Sequence, residues 1–433
     1  ERLNPSFGWI WLMAGPYLEA GAAATGVAAG AGAAAAAGSA TLQANGALTS
    51  ASESTVTAAV GNITLTSSGL DLAGNMSAAD TVRVATNDAN SDITFSSLGN
   101  LNLGQLQTNA NGTLAIGAVN QSGNVTVDVA TNTQASLILT GGNIAITEAL
   151  STGDKNLTLN ANVENGSIQA NGALTTNNLT ATTLNGAVTL GNVSNAMAGE
   201  VSVNAGTGNL TLVNTRDTQL TSITANVTSI TLSAGNLSQF SGNLSVGDLN
   251  VVTTDGNASL ATGTNNQISG VISANVGTGN LDLNNNRDTT LGNITAANAI
   301  LTVSNGNITG NAGGASLIIA GNLDVTALNG SANLNGLPGS GARFNNNVGG
   351  VVTANVGSDF EFINSRDTQL GNISANLATF AVNGNITQAD ATSSINTGSL
   401  YLYPVTENGL NDVTLTNTNN TIGAVGGNLN GNL

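Results

Sequence analysis

The sequence predicts an all-β solenoid, a stack of coils with roughly three short strands each, and three observations carry that expectation. A Gly-Asn step followed by an apolar, a polar and often a second apolar residue recurs along most of the chain. Strand-sized runs return about every eight residues, so three of them make a coil of about 24. One longer segment also occurs in three copies.

Residues 1–40 stand apart from this pattern. Phe7 to Leu18 (FGWIWLMAGPYL) holds both tryptophans, and Ala20 to Ala40 is almost entirely Ala and Gly. A membrane span is not expected, because Ala and Gly gain little on transfer into lipid and the glycines weaken a helix. Trp9, Trp11 and Tyr17 are too large for a core of Val, Leu and Ile, so Phe7, Trp9, Trp11, Leu12, Tyr17 and Leu18 are read as a subunit contact or a cap.

From residue 41 to 433 the solenoid pattern holds. Gly61-Asn62-Ile63-Thr64-Leu65, Gly123-Asn124-Val125-Thr126-Val127 and Gly208-Asn209-Leu210-Thr211-Leu212 are examples. Gly and Asn tolerate the left-handed conformation of a sharp corner, and the alternation that follows points the aliphatics inward and the hydroxyl outward. Leu210, Leu212, Leu281 and Leu283 are thus expected inside, Thr211 and Asp282 outside. Asn at equivalent corners of successive coils is expected to form ladders, which accounts for its abundance without chemistry.

The longer repeat comprises Val201 to Ala225, Val271 to Ala296 and Val351 to Ala375. Each copy carries Arg-Asp-Thr, and the arginines Arg216, Arg287 and Arg366 lie 71 and 79 residues apart. That spacing reads as a unit of about three coils. The pairs Arg216-Asp217, Arg287-Asp288 and Arg366-Asp367 are read as corner residues, because a residue type fixed by repeat position serves the repeat. Arg as a ligand clamp, through its fork of donors, is the competing reading.

Composition narrows function. The 433 residues include 7 Lys plus Arg, 24 Asp plus Glu, no His and no Cys. General acid–base and nucleophilic chemistry lean on His, Cys and Lys, so an enzyme is not expected. The net charge of −17 disfavours nucleic acid and anionic membrane surfaces as partners. Asp71, Asp80, Asp88 and Asp92 cluster around Arg83 but lack lysine neighbours and aromatic platforms, and are read as solvated corners. No cofactor and no metal are expected, since the nonapeptide that binds calcium between coils is missing.

The Gly-Asn-Ile/Leu-Thr recurrences, Asn-rich corners and multi-coil units resemble the right-handed parallel β-helices of large bacterial exoproteins, the filamentous-haemagglutinin-like and autotransporter-passenger group. The resemblance covers residues 41–433 and implies export to the cell exterior and a structural or adhesive role. Residues 411–433 continue the repeat without a helix, a charge cluster or a proline to blunt the edge. Head-to-tail assembly into a fibre or matrix is therefore the expectation, with the chain as its own partner and an adhesin passenger as the alternative.

Overall fold

The computed structural model describes residues 18–19, 27–29, 33–36, 39–43, 47–50, 55–58, 60–72, 75–96, 106–108, 112–133, 135–263, 265–311, 314–335, 345–405, 410–428 and 431–432. Among them there is no α-helix, and the strands pair in parallel with the strands one coil before and after. This is a β-solenoid. Two compact units divide the chain, Glu1–Thr215 and Arg216–Leu433.

In the first unit each coil turns through three strands. One stack registers Leu137, Leu157, Leu179 and Val201. A second registers Val125, Ile144, Ile168, Val188 and Leu210, and a third Thr131, Leu150 and Leu174. Aliphatics of similar size thus lie over one another and fill a narrow core. Earlier in the chain, Leu18–Glu19 pairs with Ala40 and Thr41, Val27–Ala29 with strand Ala47–Ser50, and Ala33–Ala36 with Thr55–Ala58.

The second unit repeats the scheme with longer, bent strands such as Thr218–Leu232 and Thr368–Val382, which run across a corner without a break. One stack registers Leu237, Ala258, Leu281, Ala299, Leu323 and Val352. Leu210, Leu212, Leu281 and Leu283 are buried, Thr211 is exposed and Asp282 is half-buried on the outer face, as the alternation requires. Cysteine placed at Asp282 is expected to react with a maleimide in the folded protein, whereas cysteine at Leu281 or Leu283 should be protected. The reverse pattern would refute the register, because a slip of one residue exchanges the two faces.

The core also admits aromatic residues. Phe360, Phe362 and Phe380 are fully buried. Phe360 and Phe362 stack at 6.1 Å, and Phe380 meets both rings edge-on at 5.7 and 6.5 Å. Room is made along the stack: Phe360 lies between Ala332 on one neighbouring coil and Ala378 on the other. A larger residue at one level is balanced by a methyl above and below, which keeps packing dense without strain.

Candidate functional site: corner ladders and two outward features

Among the described residues, aspartate and asparagine side chains at the corners bond from one coil to the next. The Asp217 carboxylate accepts the Asn236 amide at 2.7 Å. Asn236 Oδ1 then accepts the Asn257 amide, and Asn257 Oδ1 the Asn280 amide. Asn298 Nδ2 donates to Asn280 Oδ1, Asn298 Oδ1 accepts the Asn322 amide, and Asn322 Oδ1 the Val351 amide. Most rungs run from a side-chain oxygen to a backbone N–H, not from amide to amide. Each rung to a backbone N–H satisfies a donor at the corner.

Rungs of this ladder lie 19, 21, 23, 18, 24 and 29 residues apart, so coil length varies around the expected 24. Asp288 falls between Asn280 and Asn298 in sequence and is not one of these rungs. It starts a separate ladder through the Asn307 amide at 2.8 Å to Ser331. The repeat of 71 residues is therefore not a whole number of coils. Asp367 likewise binds the Asn385 amide at 2.7 Å, with Asp412 and Asn432 following.

The glycine before each first rung has a physical reason. Gly306 and Gly384 adopt φ of 128° and 141°, and a Cβ there would meet the backbone nitrogen of Asp288 or Asp367 at 2.4 or 2.7 Å. Only Gly allows the corner to close on the aspartate.

Arg216, Arg287 and Arg366 are exposed. Their carbonyl oxygens accept the hydroxyls of Thr218, Thr289 and Thr368, and the Arg366 guanidinium reaches Asn347 Oδ1 at 3.4 Å. Asp92 accepts the Asn124 amide and heads a ladder in the first unit, Asp88 caps its own turn at Asn90, and Arg83 donates to the Gly117 carbonyl at 2.7 Å. The Asp71 side chain lies outside the described residues, as do Phe7, Trp9, Trp11, Leu12 and Tyr17; Leu18 enters the short strand paired with Ala40. Among the described residues no three His, Cys, Asp or Glu side chains gather as a metal site would require, and no helix is long and apolar enough to cross a membrane.

Sequence reading missed a second polar feature, which lies inside the coil. Asn214, Asn285 and Asn364 are fully buried, one in each copy of the long repeat. Asn364 Oδ1 accepts the Val348 amide, while its Nδ2 donates to the Val348 carbonyl and to Thr368 Oγ1. Asn285 makes the same three bonds with Ile268 and Thr289, and Asn214 bonds both backbone groups of Met197. Asn195, Asn266 and Asn346 lie two residues before Met197, Ile268 and Val348, are buried too, and bridge coils on both sides. Their signal was available: the copies agree back to these positions, in Asn195-Ala-Met, Asn266-Gln-Ile and Asn346-Asn-Val.

Two features face outward. Tyr401 and Tyr403 flank buried Leu402 on strand Ile395–Pro404, are 39% and 40% exposed, and stack with ring centroids 6.3 Å apart. Elsewhere in the second unit an open groove of about 440 Å³ has Ile300, Asp324 and Thr353 along its floor.

Burial raises the carboxyls of Asp282 and Asp324 above the ordinary carboxylate value. The folded chain therefore binds more protons than the unfolded chain between the two values, so this contribution is complete at low pH and is lost as pH rises through the folded value. Asn at either position is expected to melt higher than the parent at neutral pH and to lose that advantage near pH 3, where the parent carboxyls are protonated. An advantage that persists at low pH would assign it to packing instead.

No protein-family model, curated protein or solved structure matches the chain.

Proposed function

We propose that this chain is a structural subunit of an extracellular homopolymeric fibre or matrix, assembled head to tail and related in role to the filamentous-haemagglutinin-like exoproteins of bacteria. The observation that carries the reading is the use of the repeated aspartates: Asp217, Asp288 and Asp367 each bind the backbone of the following coil. Residues that a catalyst or receptor would turn toward a ligand are here used to continue the stack. Such a rung needs only a next coil, and a second copy of the chain supplies one as well as the same chain does, by strand addition. The absence of cysteine fits an exported bacterial chain held together without disulfides.

Negative-stain microscopy and sedimentation test this. Continuous threads are expected from native material. Removing residues 1–17 spares the paired strands from Leu18 onward and takes away Phe7, Trp9, Trp11, Leu12 and Tyr17; short or absent threads should result. Unchanged threads would remove the contact role of that segment, and a monodisperse monomer at high concentration would remove the fibre.

The Tyr401–Tyr403 pair favours a second reading, a surface adhesin, because exposed tyrosines supply rigid amphipathic contact area. Rods of uniform length that lose cell attachment on Tyr401→Ser/Tyr403→Ser substitution would support it over the fibre.

A further inference from the structure

The groove over Asp324 brings an apolar floor together with polar groups that are not committed to the corner ladders. Its floor is one outward column crossing three coils, in which Ile300, Asp324 and Thr353 register with one another. Ile300 is 44% exposed, an apolar surface in the middle of a polar wall. At the corner, Asn322 and Asn372 use Oδ1 for the Val351 and Ser394 amides. Among the described residues their Nδ2 groups make no hydrogen bond, and the Asp324 carboxylate meets no donor, desolvation being the one influence on it.

The far wall is a short loop held rigidly. Asp390 accepts the Thr392 amide and hydroxyl and the Ser393 amide, at 2.8, 2.6 and 2.9 Å. These bonds, that of the Thr392 hydroxyl first, hold its carboxyl below the ordinary value. From behind, Gln388 Nε2 donates to the Ser393 carbonyl, and Asn417 Nδ2 donates to the Asp390 and Ser393 carbonyls. A wall fixed from both sides needs no ordering when something binds, which lowers the cost of association.

We propose that this groove is a binding site for a neutral saccharide, one or a few hexose units of a glycan chain. The chemistry selects that class. None of the residues lining the groove is basic, so an anion has nothing to pair with. With the Asp390 carboxylate engaged in its own turn, Asp324 offers one uncommitted carboxylate, too few oxygens for a calcium ion that takes about six or more. A ring of hydroxyls can donate to Asp324 and accept from Asn322 and Asn372, and its C–H face covers Ile300. The volume falls within the range of small-molecule sites. This inference concerns a ligand and holds whether the chain forms fibres or acts as a monomeric rod.

The test is a titration of the full chain with neutral hexose trisaccharides (maltotriose, cellotriose, mannotriose and their galactose counterparts), followed by saturation-transfer NMR and calorimetry. At least one should bind. Asp324→Asn should weaken it about tenfold or more, the scale of losing a charged hydrogen-bond partner. Asp282→Asn is the control: it stands two coils away in the same column, its carboxyl is raised by the same desolvation, and it lies outside the groove. Its binding should equal the parent's. Because both variants should be at least as stable as the parent at neutral pH, a loss in one alone cannot be unfolding. Binding of no trisaccharide, equal binding by Asp324→Asn, or preference for a lysine-containing peptide over every sugar would overturn the assignment.

Discussion

Replacing Asn364 with alanine is expected to lower the stability of the second unit by about 3 kcal/mol or more. The substitution leaves the Val348 N–H and C=O buried without partners, and each orphaned group costs on the order of 1–3 kcal/mol. Asp367→Ala should cost less, about 1 kcal/mol, because the Asn385 amide it abandons lies at an exposed corner where water can replace the carboxylate. Arg366→Gln keeps the backbone carbonyl that Thr368 binds and loses one long contact to Asn347, so its effect should stay within about 0.5 kcal/mol. Urea unfolding of the three variants, followed by circular dichroism of the β-strands, gives the order. If Arg366→Gln proved as costly as Asn364→Ala, the buried asparagine would not be the element that joins these coils.

That ranking shows where sequence was a good guide and where it was not. The alternation at Leu210-Thr211-Leu212 and Leu281-Asp282-Leu283 could be read directly, since period-2 patterning is local and one face is buried. The corner role of the Gly-Asn steps was legible for the same reason. Distinguishing Asn364 from Asn372 was not: both follow an apolar or glycine position beside a corner, yet one turns into the core and the other caps a neighbouring coil. The difference depends on which residue lies one coil away, and spacings that run from 18 to 29 along a single ladder make that register invisible to a fixed period. This variation also hid the fact that the long repeat spans a fractional number of coils. The groove had no sequence signature, because Ile300, Asp324 and Thr353 come from three separate coils. Tyr401-Leu402-Tyr403 did have one, an alternation with both aromatics facing out.

Replacing Phe380 with alanine is expected to cost about 3–5 kcal/mol, the range for truncating a buried phenylalanine. Phe380 is the ring that meets both Phe360 and Phe362 edge-on, so its removal breaks two aromatic contacts and leaves a void between two coils. The void cannot collapse easily. Phe362 and Leu402 register on either side of Phe380 within parallel ladders whose spacing is fixed by backbone hydrogen bonds, and the strands cannot close without breaking them. The complementary change tests the volume balance: Ala378→Leu should also destabilise, by about 1–3 kcal/mol, because it adds bulk beside Phe360 where an alanine on each neighbouring coil makes room. Combining Ala378→Leu with Phe360→Leu should recover much of that loss, since the pair reproduces the leucine-over-leucine packing of Leu260, Leu283 and Leu301 on successive coils. A double-mutant cycle in denaturant measures the coupling. Additive costs would mean that Phe360 and Ala378 pack independently, and that the size of a core residue at one level is not set by its neighbours on the coils above and below.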